Sequence, residues 1–537
     1  MKKNILKVTA TLVVCAVLLW LVQMLLMPKY MTESKEGNLI AEYYDEYGGN
    51  DVIFIGDCEV YENFSPITLW EEYGIPSYIR GSAQQLIWQS YYLMEETFQY
   101  ETPKVMVFNV LSMKYDTPAS TGAASQREAY NRMTIDPMRW SMSKWNCIQA
   151  SMTDMEREKE AEWMYLFPLL RYHDRWSDLK AEDFQYWFQR GDIADNGYLM
   201  QTGIKPVTHE HVEKPLVNYD FAENCWMYLD MMRELCEKHG TELVLVKAPS
   251  LSPVWWPQWD KQIEEYAEKH DLTYWNFLDY QEEIGIDWNT DTYDTGLHLN
   301  VYGAEKMSKF FGQLLVDTFD LEDRRTDAEM SAIWAEKVET YNERKATLEA
   351  QTASETKGEY PMKKIFALAL ALMLVLTLAA CGGETTPETT ESQAPAVLGP
   401  TQPDAASWKY TVRGVDVMMH AEAAPVLEAL GEPVSYTEEA SCAFSGLDKT
   451  YYYGGFYLQT YPIDDADYIY SVWLVDDSST TPEGIYIGAS QAEVEAAYGT
   501  EGFNGENAYI MSGTTSTLTI IMDSGVVSSI QYDAVID

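Results

Sequence analysis

Cys58 is the residue of this chain best placed to act as a nucleophile. It follows an apolar run, Val-Ile-Phe-Ile from residue 52, and then a Gly-Asp pair. The downstream segment from Asp294 to His298 is the only plausible partner, because it supplies a carboxylate and an imidazole close together. In such a set the imidazole takes the nucleophile's proton and the carboxylate orients the imidazole. The pattern predicts acyl transfer through Cys58, with His298 as base.

Two further residues could stabilise the negative charge that develops on a substrate carbonyl. Gly81 follows the second predicted strand and Asn109 the third, just as Cys58 follows the first. Sites in open parallel sheets lie beyond the carboxyl ends of the strands. The backbone N–H groups of Cys58 and Gly81 and the amide of Asn109 are therefore predicted oxyanion donors. Asp294 is the predicted orienting acid, and Asp291 remains an alternative.

The elements that must position these residues alternate between strand and helix from residue 30 to residue 325. This alternation favours a parallel α/β sheet. Ser65 and Pro66 predict the start of a helix over 67–73, and Ser82 with Gln85 predicts a capping box that opens a helix to about residue 98. Strands are predicted at 51–55, 75–79, 105–110, 243–247 and 274–277, and later helices at 221–239 and 300–318.

An insert from about residue 113 to residue 217 interrupts this alternation. It is rich in tryptophan and includes a predicted helix over 155–172, so we expect a cap over the sheet. The segment 171–176 combines charge with aromatic rings, which suits either a sugar-binding platform or a packed helix end. A polar helical extension is predicted over 326–358, with Trp334 and Tyr341 spaced for one face.

The chain from about residue 50 to residue 318 resembles the SGNH/GDSL hydrolase superfamily. The resemblance rests on Gly-Asp-Cys58, Gly81, Asn109 and the Asp294 to His298 segment, in that order. It implies a flavodoxin-like three-layer fold and an acyl esterase or O-acyltransferase. The most similar members transfer D-alanine or acetyl groups outside the cytoplasm. They imply cell-envelope polysaccharide as substrate and a membrane-bound O-acyltransferase as partner.

The chain departs from the pattern of this superfamily in three places. Cys58 replaces the usual serine, Asp294 stands four residues before His298 instead of three, and the block around Asn109 is shortened. We also expect Asp57 to raise the pKa of the thiol, with no helix start before Ser65 to lower it. A catalytically inactive scaffold that binds glycan or the acyltransferase is therefore the alternative function.

The N-terminus predicts a membrane anchor. An apolar stretch over 8–27 follows Lys2, Lys3 and Lys7 and is long enough to cross a bilayer. The positive-inside rule then places the rest of the chain outside the cytoplasm of a bacterial cell. With 84 acidic against 38 basic residues, the net charge of −46 argues against nucleic-acid binding.

A second apolar segment, 362–381, has the features of a lipoprotein signal peptide. It begins Met-Lys-Lys, has a short apolar middle and ends Leu-Ala-Ala-Cys381, which makes Cys381 the predicted lipidation site. We therefore hypothesise that two adjacent reading frames are joined in this chain. Residues 382–407 are predicted to be a disordered tether.

The part from residue 408 to residue 537 is predicted to be a separate α+β domain. Short helices at 423–430 and 491–498 each precede β-rich segments, which indicates a duplicated helix-plus-hairpin unit. Strands are predicted at 451–460, 468–475, 508–512, 517–522 and 526–532. The part resembles bacterial lipoproteins with units like those of β-lactamase inhibitor proteins. Its tyrosine-rich strands favour a binding role.

No metal site, cofactor or disulfide framework is predicted. His209 and His211 lack a third ligand nearby. Cys225 and Cys236 are too far apart on one predicted helix to form a disulfide.

Overall fold

The computed structural model describes residues 2–31, 34–118, 124–159, 161–186, 192–208, 211–356, 407–440, 447–463 and 466–535. The chain divides into two compact units. The first comprises Met1–His211 and Asp220–Tyr360, and the second Val212–Tyr219 and Pro361–Asp537. The predicted lipoprotein signal, with Cys381, and nearly all of the predicted tether lie outside the described residues, as does His209.

A five-stranded parallel sheet forms the centre of the first unit. Its strands are β1 Val52–Gly56, β2 Ser77–Gly81, β3 Val105–Asn109, β4 Glu242–Lys247 and β5 Thr273–Asn276. They lie in the order β2-β1-β3-β4-β5, and every neighbouring pair is parallel. This is the flavodoxin-like order, so the predicted parallel α/β sheet is confirmed.

Sixteen α-helices belong to the described part of the first unit. They are α1 Lys2–Leu26, α2 Leu39–Glu46, α3 Cys58–Tyr61, α4 Pro66–Tyr73, α5 Ile87–Thr97, α6 Ala124–Ile135, α7 Met142–Ser151, α8 Asp154–Glu158, α9 Glu162–Leu166, α10 Leu169–Tyr172, α11 Ala181–Gln185, α12 Glu223–His239, α13 Pro257–His270, α14 Gln281–Ile284, α15 Val301–Thr318 and α16 Ala328–Thr356. The residues 7–26 within α1 are long and apolar enough to cross a membrane.

Local capping signals explain where two of the predicted helices begin. The Ser65 hydroxyl accepts a hydrogen bond from the Thr68 N–H at the start of α4, as predicted. The predicted start of α5 at Ser82 is wrong: the Ser82 hydroxyl instead lies 2.6 Å from the hydroxyl of Thr134. The helix begins later, where the Gln89 side chain accepts from the Leu86 N–H.

The insert contains short helices instead of one long predicted helix. Residues 155–172 form parts of α8, α9 and α10, so the continuous helix is a wrong prediction. Pro168 stands directly before α10 and has no N–H to donate to the preceding turn. The helix α9 therefore ends before Pro168 instead of continuing into α10. The helix α13 was not predicted at all.

The helix α16 is packed into the first unit along one face. Trp334 is 2% exposed and Tyr341 is 1% exposed. The ring of Trp334 stacks on Trp70 of α4 with centroids 4.9 Å apart, and the Tyr341 hydroxyl donates to Glu305 of α15 at 2.8 Å. The predicted helical extension is thus a helix with a buried face.

The second unit is dominated by antiparallel strands. Its elements are the strands β6 Lys409–Val412, β7 Val415–Met418, β8 Ser435–Ala440, β9 Leu447–Tyr452, β10 Phe456–Ile463, β11 Ala466–Leu474, β12 Ala508–Ser512, β13 Ser516–Asp523 and β14 Val526–Ala534, and the helices α17 Ala423–Leu430 and α18 Gln491–Tyr498. Seven strands pair in the order β12-β13-β14-β11-β10-β9-β8, and β6 pairs with β7.

The two helices predicted in this unit are confirmed, whereas its first predicted strand is wrong. Residues 451–460 form a hairpin, because Gly454, with φ of +79°, and Gly455 turn the chain between β9 and β10. The internal duplication stays a prediction.

Candidate active site

Cys58 lies at the carboxyl edge of the parallel sheet, on the first turn after β1. It is the first residue of α3, and the Asp57 carboxylate caps that helix by accepting from the Glu59 N–H. The prediction that no helix begins before Ser65 is therefore wrong. A side chain at Gly56 would come within 2.3 Å of the Val60 side chain, so only glycine fits this turn.

His298 is held by Asp294 through two hydrogen bonds. Nδ1 of the ring lies 2.7 Å from one carboxylate oxygen, and the His298 N–H donates to the other at 2.9 Å. The chain has one residue more between acid and base than the superfamily pattern. A left-handed turn accommodates it, since Thr295 and Gly296 have φ of +65° and +95°. The four-residue spacing therefore still brings the carboxylate to the ring.

The structure brings Cys58 to the same imidazole. Burial raises the pKa of the Cys58 thiol to about 11, and the interaction with His298 lowers it only in part. Nδ1 is taken by Asp294, so Nε2 is the ring nitrogen left for the thiol. Among the described residues, Nε2 is buried and has no hydrogen-bond partner. The predicted acid is thus hydrogen-bonded to the predicted base, and the predicted nucleophile interacts electrostatically with that base.

Glu62 is a second carboxylate at His298 that the sequence analysis missed. Its Oε2 lies 3.1 Å from Nδ1 of His298 and accepts from the Tyr293 hydroxyl at 2.6 Å. The Tyr293 ring also stacks on the imidazole, with 6.1 Å between centroids. The available signal was the spacing: Glu62 stands four residues after Cys58, which puts both on one side of a helical turn.

These carboxylates determine the protonation of the site. Burial alone would lower the pKa of His298, but Glu62, Cys58 and Asp294 raise it well above its ordinary value. Burial raises the pKa of Glu62 to about 7 although the imidazole opposes this. The carboxylates therefore favour the imidazolium form of His298, and burial favours the protonated form of the Cys58 thiol.

Asn109 reaches the site, but its amide is already occupied. Its Nδ2 donates to Asp57 at 3.2 Å and to Glu59 at 2.9 Å, which uses both N–H bonds. Its carbonyl oxygen accepts from the Ala248 N–H. The predicted oxyanion role of Asn109 therefore needs at least one of these hydrogen bonds to break.

A buried lysine completes this network beneath Cys58. Lys247, at the end of β4, is fully buried and donates to Glu59 at 2.8 Å. Its ammonium also donates to the Ala248 carbonyl at 2.7 Å. Burial and the charge of Glu59 raise the pKa of Asp57 to about 6. A paired charge is thus fixed behind the nucleophile.

Of the remaining predicted residues, Gly81 borders the site and Asp291 does not contact His298. Gly81 ends β2 directly opposite Gly56, and a side chain there would press on Tyr61 at 3.0 Å, so its backbone borders the site. Asp291 does not serve His298, because its carboxylate accepts from Lys306 at 2.6 Å and from the Asp287 N–H. The geometry selects Asp294 as the acid.

The ligand atoms of Glu62, Asp294 and His298 lie within 4.8 Å of one another, as a metal site would require. Hydrogen bonding accounts for this proximity, because both carboxylates approach the same ring nitrogen at hydrogen-bond distance. His211, the described member of the predicted histidine pair, contacts the Thr295 carbonyl at 2.6 Å. Cys225 and Cys236 are buried free thiols.

Comparisons with known proteins give a distant likeness in structure alone. No family model matches the chain, and no curated protein matches it. One similar solved structure is a "putative acylhydrolase" from Bacteroides fragilis NCTC 9343, with 14% identity over 52% of this chain and 94% of that chain and a TM-score of 0.24. Another is a GDSL-like lipase from Bacteroides thetaiotaomicron VPI-5482, with 11% identity over 53% and 100% of the chains and a TM-score of 0.25. At these scores the assignment of activity depends on the site itself.

Proposed function

We propose that the first unit is an SGNH-like acyl esterase or O-acyltransferase that uses Cys58 as its nucleophile. The observation that carries this proposal is the convergence of Cys58, His298 and Asp294 at the carboxyl edge of the sheet. A nucleophile, a base and an orienting acid in this arrangement are what acyl transfer requires.

In the first step, the Cys58 sulfur attacks the ester carbonyl carbon of the acyl donor. The thiol proton passes to neutral His298, the S–C bond forms, and the ester C–O bond breaks. The departing alkoxide takes the proton from the imidazolium, which leaves a thioester on Cys58. In the second step, a sugar hydroxyl or water attacks the thioester while His298 removes its proton. The C–S bond then breaks and the sulfur recovers the proton.

Two features support the carboxylate assignment within this mechanism. Asp294 holds both the ring and the backbone of His298, so the imidazole is fixed before substrate arrives. Glu62 adds a second negative charge at the same nitrogen, which stabilises the imidazolium formed in each step.

The test is to incubate purified full-length protein in detergent with p-nitrophenyl acetate and to measure both ester hydrolysis and the intact mass. We expect a mass increase of one acetyl group that peptide mapping places on Cys58. Cys58→Ala should remove both the mass increase and the hydrolysis, whereas Cys147→Ala, a buried free cysteine, should not. Equal hydrolysis by Cys58→Ala would remove Cys58 from the mechanism.

The alternative function is a scaffold that keeps the pocket without catalysing a reaction. Two observations favour it: the raised pKa of the Cys58 thiol and the occupied amide of Asn109. Cys58→Ser separates the two functions. A site that keeps its catalytic geometry should gain hydrolysis when serine supplies the nucleophile. A scaffold should stay inactive while still binding envelope glycan.

We further propose that α1 anchors the unit in a bacterial membrane, with the fold outside the cytoplasm. The acyl acceptor would then be cell-envelope polysaccharide and the partner a membrane-bound O-acyltransferase. We also propose that the second unit is a separately made lipoprotein, lipidated at Cys381, with a binding role. Immunoblots of cells with antibodies to each unit test this, since a single full-length band would contradict it.

A further inference from the structure

The insert leaves large apolar side chains in solvent on the elements α7 to α11 and their connections. Trp176 is 71% exposed and Trp140 is 57% exposed. We define the aromatic face as the residues Trp140, Trp163, Phe167, Leu170, Trp176 and Phe184, all of which are exposed. The Trp163 and Phe167 rings stack with centroids 5.9 Å apart. Contiguous exposed apolar patches mark protein or membrane interaction sites.

The elements that carry the aromatic face are attached to the last turn of α1. The Arg175 guanidinium donates to the Leu26 carbonyl at 2.9 Å and forms a two-pronged ion pair with Asp183 at 3.0 and 3.1 Å. Lys29, just after α1, lies 3.9 Å from the same Asp183 carboxylate. The end of the apolar helix and the aromatic face therefore belong to one local structure.

A cavity of about 470 Å³ lies at this junction. Trp20 and Met24 of α1 line one side, and Trp140 and Pro168 of the insert line the other. Trp140 of the aromatic face thus borders the same cavity as the apolar helix.

We propose that the aromatic face is a second membrane contact, which lies in the interfacial layer of the bilayer leaflet from which α1 emerges. Phospholipid is its occupant. Tryptophan is suited to this layer, because its ring is apolar and its N–H can meet the headgroups. The inference depends on the proposed membrane insertion of α1 and not on any catalytic step.

The charges around the aromatic face indicate that apolar burial, not attraction to anionic lipid, drives this contact. Two basic residues on these elements are already paired, Arg171 with Glu128 at 2.9 Å and Arg175 with Asp183 at 3.0 Å. A zwitterionic lipid should therefore suffice. For the acyl-transfer site, the consequence is a fixed orientation toward the membrane surface, because an anchor and a face beside it remove rotation about α1.

The test uses the full chain with the photoreactive residue benzoylphenylalanine at one position, reconstituted into phosphatidylcholine vesicles that contain radiolabelled phosphatidylcholine. After irradiation, we expect lipid label on the protein with the probe at Trp176 or Trp163. The matched control is Ile333, an apolar residue 48% exposed on α16, which should remain unlabelled.

A probe at Leu18 within α1 separates the face from the anchor. Label at Leu18 with no more label at Trp176 than at Ile333 would overturn the proposed membrane contact of the aromatic face. The proposed membrane insertion of α1 would then be unaffected. No label at Leu18 would overturn both. A loss of the Trp176 label in high salt would also contradict the proposal, since it would assign the contact to charge. Ester hydrolysis in the same vesicles reports on the active site independently.

Discussion

The Glu62 carboxylate lies 3.1 Å from Nδ1 of His298, the same ring nitrogen that faces Asp294 at 2.7 Å. One imidazole thus faces two carboxylates, and both favour its charged form. A base must be neutral before it can remove a proton, so this arrangement raises the pH at which the site becomes active.

The substitution Glu62→Gln should move the pH profile of ester hydrolysis to lower pH. Activity rises with pH as the imidazolium of His298 loses its proton, and removal of the nearby Glu62 charge lowers the pKa of that ring. The measurement is kcat/KM for p-nitrophenyl acetate across pH. Glu72→Gln, on an exposed carboxylate paired with Lys309, is the control and should not shift the profile. An unchanged profile in Glu62→Gln would show that Glu62 does not act on His298.

The substitution Asp294→Asn should reduce kcat, but by less than the roughly 10⁴-fold loss seen when a lone triad carboxylate is amidated. Glu62 remains to stabilise the imidazolium, which explains the smaller loss. The double variant with Glu62→Gln should lose more than the two single effects combined. Asp291→Asn is the matched control: its carboxylate pairs with Lys306, so kcat should stay unchanged while stability falls. Equal losses of kcat in Asp291→Asn and Asp294→Asn would contradict the assignment of the acid.

Alkylation of Cys58 by iodoacetamide should be slow at pH 7 and should accelerate steeply toward pH 11. Only the thiolate reacts, and burial raises the thiol pKa to about 11. Because His298 partly opposes this rise, His298→Ala should slow the reaction further. Mass spectrometry of peptides with time measures both rates. Fast modification of Cys58 at neutral pH would mean that a thiolate–imidazolium pair already exists.

The substitution Lys247→Met should destabilise the first unit by about 3–5 kcal/mol in urea unfolding, because it leaves the buried charge of Glu59 without its partner. The double variant with Glu59→Leu should recover part of this loss. Lys261→Met is the control, since that lysine is largely exposed and its ion pair is long at 3.7 Å. A neutral effect of Lys247→Met would contradict the prediction that this buried ion pair stabilises the unit.

The parallel sheet, and the placement of Cys58 and Asn109 at its carboxyl edge, could be predicted because they depend on local pattern. Apolar runs mark β1, β3 and β4, and the edge of a parallel sheet then gathers Cys58 and Asn109. Glu62 and Tyr293 could not be assigned, because their role depends on how a one-turn helix and a loop meet around His298. The hydrogen bonds of Asn109 also depend on Glu59, which is buried and paired with Lys247 from a distant strand.

The predicted boundaries of helices and strands were wrong where tertiary contacts override local sequence signals. Ser82 carries a capping signal, yet its hydroxyl contacts Thr134 of the insert and α5 begins five residues later. The glycine pair at 454 and 455 lies within an apolar, tyrosine-rich run that predicts one continuous strand. The two glycines instead form a turn that divides the run into two strands.

The stacking of Trp334 on Trp70 bears on how the protein can be produced for any of these experiments. A recombinant fragment that stops after α15 would leave the Trp70 ring and the α15 surface around Glu305 bare. Such a fragment should be recovered from inclusion bodies and should fail to refold, however complete its catalytic residues are. Soluble domains for crystallisation therefore need to extend through the whole of α16.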